Sequence, residues 1–204
     1  MLQIDCLTLG DYQVNCYVVR RTDSNCCVLI DPGYEAERIL AFLQANDLTA
    51  EAILLTHGHF DHVGAVEALM DELDCTLILC EKDWDLKLNP FVSWMYPLAR
   101  RKFEPMQLCY EGDKLCLADL IFEVLETPGH TKGSVCFRCE DALFTGDTLF
   151  DGSCGRTDLP GGDHKTILAS LQRLKSISEN LRIFPGHGTS SMLDDQRLYN
   201  PYLR

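Results

Sequence analysis

The chain opens on three short apolar runs separated by turn residues. They are Leu2 to Leu9, Asn15 to Arg20 and Cys26 to Ile30, with Gly10-Asp11 after the first and Asp31-Pro32-Gly33 closing the third. That pattern predicts strands joined by tight turns. Ala36, Ile39, Leu40 and Leu43 then recur at helical spacing before Asn46-Asp47, predicting a helix with one apolar face. Ala52-Ile53-Leu54-Leu55-Thr56 is continuously apolar and too short for a buried helix, so it reads as a strand. Val63, Val66, Met70 and Leu73 mark a second amphipathic helix behind it. Further strands are expected at Cys75 to Cys80, Leu120 to Glu126, Ser134 to Arg138, Ala142 to Thr145 and Leu181 to Phe184. Ile167, Leu168, Leu171 and Leu174 predict a third helix, capped by Asp163. Residues 81 to 106 keep neither period and are rich in aromatics, among them Trp84, Trp94 and Phe103, which reads as a lid over a site, as core packing or as a dimer contact. With no linker, repeat or low-complexity stretch, residues 1–204 read as a single α/β domain.

Five of the six histidines fall in three short motifs. The densest is Thr56-His57-Gly58-His59-Phe60-Asp61-His62; the others are Pro128-Gly129-His130 and Pro185-Gly186-His187-Gly188, with Thr145-Gly146-Asp147 between them. Each motif follows a predicted strand, where open α/β sheets place their sites. Gly58 is expected to bend the backbone so that His57 and His59 face one point. Together His57, His59, Asp61, His62, His130, Asp147 and His187 give seven nitrogen or carboxylate donors. Seven suits two divalent ions about 3.5–4 Å apart. Asp147 is the natural bridge, because a carboxylate has two oxygens and an imidazole one free lone pair.

The competing reading is a single or purely structural ion. Structural zinc usually takes four closed ligands, often cysteines, and no cysteine lies inside these motifs. Paired divalent cations would supply a water-derived hydroxide near neutral pH and polarise a carbonyl, with Asp61 orienting the nucleophile and relaying its proton. Zinc is the first expectation for these donors, with iron and manganese as alternatives. No Gly-x-Ser-x-Gly elbow or Walker A loop competes with a metal-dependent hydrolase.

Composition narrows the partners. A net charge of −13 argues against nucleic acid and anionic membrane surfaces. Arg100-Arg101-Lys102 is the one basic run, and it reads as a solvated face. The start lacks a basic segment followed by an apolar one, and no apolar run nears the ~20 residues of a membrane span. Eleven cysteines, several inside apolar runs, read as reduced thiols in a cytoplasmic protein. Cys136 and Cys139 form a lone CxxC; three apart on a strand, they would point to opposite faces and chelate nothing together. The sequence leaves the oligomeric state open.

The array His57-x-His59-x-Asp61-His62, His130, Asp147 and His187 resembles the metallo-β-lactamase superfamily. Pro128-Gly129-His130-Thr131-Lys132-Gly133-Ser134, Gly146-Asp147-Thr148-Leu149-Phe150 and Pro185-Gly186-His187-Gly188 are similar to its glyoxalase II-like, or hydroxyacylglutathione hydrolase-like, branch. The resemblance implies a four-layer αβ/βα sandwich. It implies one ion on His57, His59 and His130, a second on Asp61, His62 and His187, and Asp147 bridging. It also implies hydrolysis of a small-molecule thioester such as S-lactoylglutathione, or of a related ester. Gly155-Arg156 matches the family position of a basic residue that meets the glutathione carboxylate, while Asp158 stands where the family has a tyrosine and would repel that group. The seventeen residues after His187 are too few for the C-terminal helical domain of full-length glyoxalase II. Cys154-Gly155-Arg156-Thr157-Asp158 also resembles persulfide dioxygenases, which use one iron and make the alternative expectation. Diiron flavoproteins of this fold carry a glutamate where this chain has Phe60, and RNA-processing relatives fit poorly with the acidic charge.

Overall fold

The computed structural model describes residues 1–84 and 106–204. One sheet holds β1 (Leu2–Leu9), β2 (Val14–Arg21), β3 (Cys26–Ile30), β4 (Thr49–Leu54), β5 (Thr76–Cys80) and β6 (Met106–Cys109), in that spatial order. The first three strands pair antiparallel through turns, and β3 to β6 pair in parallel. Parallel neighbours need a crossover, and α1 (Ala36–Ala45) and then α2 (Phe60–Val63) with α3 (Val66–Glu72) provide two of them.

The second sheet is an antiparallel meander of β7 (Lys114–Leu117), β8 (Leu120–Glu126), β9 (Val135–Cys139) and β10 (Ala142–Gly146). After α5 (His164–Lys175), β13 (Arg182–Pro185) adds in parallel to β10, and β14 (Ser191–Met192) closes that edge. A two-stranded ribbon, β11 (Leu149–Phe150) with β12 (Ser153–Cys154), and the helix α6 (Leu193–Tyr199) complete this half.

Alternation along the strands assigns each face. Tyr17, Val28, Ile30, Leu54 and Ile78 of the first sheet meet Phe122, Val124, Phe137 and Phe144 of the second in a core between the sheets. Leu29, Ile53 and Leu77 point the other way, against Ile39 and Leu43 of α1 and Val66 and Leu69 of α3. Leu143 and Ile183 do the same on the second sheet, against Ile167, Leu171 and Leu174 of α5. The layers run helix, sheet, sheet, helix, which is the expected αβ/βα sandwich. Cys136 packs in the outer core and Cys139 in the inner one, so the CxxC pair faces opposite ways. All eleven cysteines are free thiols.

Several hydrogen bonds fasten the sheets together along one edge, among them two from the Asn15 side chain to Pro185 O and Gly188 O. Tyr17 donates its hydroxyl to Pro185 O at 2.6 Å, Asn15 N–H donates to Gly186 O at 2.8 Å, and Val135 N–H donates to Thr56 O at 2.8 Å. Each such bond contributes about 1 kcal/mol net. Their placement matters more than their sum, since they hold the loops after β4 and β13 to the opposite sheet.

Some local expectations change. The helix read from Val63 to Leu73 is broken in two, because Ala65 N–H donates to Pro32 O at 3.1 Å instead of continuing the helical ladder. Strands β6 and β7 escape the pattern because each is four residues long, too short for an alternation to register. Asp163 caps α5 as expected, accepting from Thr166 N–H at 2.7 Å. Residues 85–105 lie outside the described residues, and with them fall nearly all of the aromatic stretch read as a lid and the basic run Arg100-Arg101-Lys102. Among the described residues no helix is long and apolar enough to cross a membrane.

Candidate metal centre

Four strand ends feed one point. β4 runs into the loop carrying His57 and His59 and the short helix carrying Asp61 and His62; β8 leads to His130, β10 to Asp147 and β13 to His187. The donor atoms of His57, His59 and His130 lie within 4.8 Å of one another, and so do those of Asp61, His62 and His187. Asp147 stands between the two groups. Its Oδ1 is 3.3 Å from His62 Nε2 and 3.7 Å from His187 Nε2, and its Oδ2 is 3.5 Å from His130 Nε2. All seven donors named from the sequence therefore converge.

Hydrogen bonds behind the site decide which ring nitrogen faces inward. His130 Nδ1 lies 2.7 Å from Arg156 O, and His187 Nδ1 lies 3.0 Å from Tyr12 O. A carbonyl only accepts, so both Nδ1 atoms carry hydrogen and both Nε2 atoms turn to the site. Asp31 Oδ2 holds His62 Nδ1 at 2.9 Å. Thr56 donates its hydroxyl to the same oxygen at 2.6 Å, leaving a lone pair for His57 Nδ1 at 3.1 Å. A third close group, Asp31 with His57 and His62, is this supporting network seen from behind. Asp31 accepts from Thr56 N–H and its hydroxyl as well as facing His62 Nδ1, which orients the candidate ligands His57 and His62.

The residues fit divalent cations. His57 Nε2, His62 Nε2 and Asp147 Oδ1 are buried without a hydrogen-bond partner. Cations held by the two trios, with Asp147 between them, would give each of these atoms a partner. Imidazole nitrogen and carboxylate oxygen, with no thiolate in either trio, suit zinc, iron or manganese. Gly186 packs against these donors: a Cβ there would lie 2.4 Å from Asp147 Oδ1 and 2.6 Å from His62 Cε1.

Electrostatics divide the candidate ligands into two kinds. Burial pushes His57 well down, and the surrounding imidazoles push it further. Burial and then His130 hold His59 down to about 3. Both are neutral lone-pair donors. Burial also opposes a charged His62, but Asp147 and Asp31 outweigh it and hold that ring well above its ordinary value. At His187 burial is outweighed by the contacts with Asp61 and Asp147, and the value rises. Burial would raise Asp147, yet His62 and His130 hold it below the usual carboxylate range. Asp61 is likewise lowered against its burial by His187 and His62. The two carboxylates and these two imidazoles favour each other's charged forms.

The turn at Gly58 is made differently from the expectation. Gly58 does not take a positive φ. Its N–H instead donates to Asp83 Oδ2 at 2.9 Å, from the short helix α4 (Glu81–Trp84) that follows β5. Sequence reasoning missed Asp83 and Asp31, which stand outside the histidine motifs and are brought there by the fold, and it gave no role to Thr56, the first residue of the densest motif.

The donors open onto a cavity of about 440 Å³ whose outer wall is Tyr12, Phe60, Leu159 and Arg156. Arg156 Nε and Nη2 are held by Asp158 at 2.7 Å each. The nearby acid thus occupies the guanidinium expected to meet a substrate carboxylate, while the Arg156 carbonyl positions His130.

Residues 9–187 match the model of the metallo-beta-lactamase superfamily. Hydroxyacylglutathione hydrolase GloC of Haemophilus influenzae is 33% identical over 99% of this chain and 98% of its own length. Among solved structures, BLEG-1 B3 metallo-beta-lactamase superposes with a TM-score of 0.87 at 36% identity, covering 98% of this chain and 99% of that one. TTHA1623 in a di-iron-bound form gives 0.84 at 40% identity, covering 98% and 100%. End-to-end likeness in sequence and fold, together with the converging strand ends, makes this chain a member of the metallo-β-lactamase superfamily, among its glyoxalase II-like metallo-hydrolases.

Proposed function

We propose that this chain hydrolyses a small-molecule thioester of the S-2-hydroxyacylglutathione type, or a related ester, with two divalent ions at the His/Asp cluster. The observation that carries the reading is the pair of donor trios with Asp147 reaching both. His57, His59 and His130 would hold one ion, Asp61, His62 and His187 the other, and Asp147 would bridge. Zinc is the first candidate; the di-iron form of TTHA1623 makes iron a serious second. When bound, such ions supply Lewis acidity and acidify water toward neutrality.

The chain's own residues do the rest. Asp61, kept ionised by His187 and His62, faces the cavity and can take the attacking water's proton. Tyr12, Phe60 and Leu159 line the cavity and would offer an apolar face to the acyl group. A thiolate leaves without an acid's help, since a thiol pKa near ~8.5 makes it a good leaving group. The likeness to GloC supports a hydroxyacylglutathione. Arg156 is the chain's candidate contact to such a substrate, weakened by its pairing with Asp158. The strongly acidic surface suits a small molecule and no nucleic acid, and eleven free thiols suit the cytoplasm.

The test is turnover by metal-loaded protein of S-lactoylglutathione, simpler thioesters and a β-lactam, side by side. Thioester hydrolysis lost in Asp147→Asn by more than the ~10–100-fold typical of outer hydrogen-bond partners supports the proposal. A chain that opens only the lactam loses the substrate assignment, and one that binds a single iron and consumes oxygen with a persulfide loses the hydrolytic assignment.

A further inference from the structure

Asp83 is a buried carboxylate with three hydrogen bonds and no place in the two donor trios. Its Oδ2 accepts from Gly58 N–H at 2.9 Å and from the Thr131 hydroxyl at 2.8 Å, and its Oδ1 accepts from Gly133 N–H at 2.7 Å. Gly58 lies between His57 and His59; Thr131 and Gly133 follow His130. One carboxylate therefore ties together the two loops that present His57, His59 and His130. The chain makes room for it: a Cβ on Gly133 would lie 2.5 Å from Asp83 N and 2.6 Å from its Cγ.

The second trio is supported differently. His62 rests on Asp31, and His187 rests on the Tyr12 carbonyl. Among the described residues Asp83 makes no hydrogen bond to α2 itself, which carries Asp61 and His62, or to the loop of His187. Asp31 also reaches His57, but only through the Thr56 hydroxyl.

We propose that Asp83 is a positioning residue for one ion alone: by clamping the loop of His57 and His59 to that of His130 it sets the affinity of the first trio and leaves the second almost unchanged. This rests on the two-ion reading above. Outer hydrogen-bond partners of metal ligands typically change affinity by 10–100-fold, and here that change falls on one of two neighbouring ions. The Asp83→Asn side chain keeps its shape but turns an NH2 group toward donors, so at least one arm of the clamp is lost.

The experiment is a zinc competition titration of the full chain against a chelator, run on wild type, Asp83→Asn and the milder Thr131→Val, with 15N-histidine NMR of the half-loaded states. The expected result is that Asp83→Asn gives up one equivalent about 10–100-fold more readily and holds the other at wild-type strength. His57, His59 and His130 then revert to metal-free nitrogen shifts while His62 and His187 stay coordinated. Thr131→Val shows the same order with a smaller change, which covers the case in which Asp83→Asn fails to fold. A purely structural role predicts a lower melting temperature in metal-free and metal-loaded protein alike; positioning predicts a smaller increment on adding zinc. Both equivalents weakening together, or neither, overturns the proposal while leaving the two-ion reading intact. A wild-type chain that takes up fewer than two equivalents removes that reading, and this inference with it.

Discussion

Asp31 Oδ2 lies 2.9 Å from His62 Nδ1, and both side chains are buried at the junction of β3 and the ligand helix α2. The contact fixes the ring so that Nε2 points at Asp147. Removing the acceptor in Asp31→Ala should lower affinity for the second ion by about 10–100-fold. Competition with a chromophoric chelator measures it, and an unaltered dissociation constant would show that His62 needs no outside support.

Gly186 sets a steric prediction. In Gly186→Ala the added methyl must move Asp147 Oδ1 or the His62 ring, from which it would stand 2.4 and 2.6 Å away. Both are donors, so the variant should fold yet lose bound metal and most activity. Metal content after gel filtration, set beside an unchanged circular dichroism spectrum, checks this. Full metal occupancy in the variant would mean that Asp147 has more room than the packing allows.

Metal uptake should release protons. His62 and His187 sit above their ordinary values in the metal-free site because Asp147, Asp31 and Asp61 outweigh burial. A cation displaces protons that these rings hold more tightly than free imidazole does, so affinity falls as pH falls toward and below neutrality. Calorimetric titrations in buffers of different ionisation enthalpy count the protons. Net release is expected; uptake, or heats independent of the buffer, would contradict the assignment of these two rings as ligands.

The inner core offers a test of the layering. Phe122 is fully buried between the sheets, whereas its neighbour Ile121 is exposed on the opposite face of β8. Phe122→Ala should cost about 3–5 kcal/mol, and Ile121→Ala no more than about 0.5 kcal/mol. Urea unfolding of the metal-free proteins measures both, and equal losses would place β8 in the wrong register.

Much of this was readable in the chain because it rests on local pattern. Histidines beside glycine at successive strand ends announce a shared site before any fold is known, and period-two and helical spacings name most elements. What escaped depends on contacts distant in sequence. Asp83 is 25 residues from Gly58 and 50 from Gly133, and nothing in Glu81-Lys82-Asp83 marks it as a clamp. Asp31 reads as the end of a strand before Pro32-Gly33, and only the parallel pairing of β3 with β4 brings it beneath Thr56 and His62. The bend at Gly58 was read as a property of glycine, whereas an acceptor from another element holds it. Arg156 was read for its charge, but that charge is paired and its carbonyl holds His130.

The most direct test is the initial rate of S-lactoylglutathione hydrolysis as metal-free protein is titrated with zinc. Two trios joined by Asp147 predict activity that climbs to a plateau at two equivalents per chain, with little turnover from the first alone. A plateau at one equivalent, or no hydrolysis at any loading, would contradict a paired-ion thioesterase.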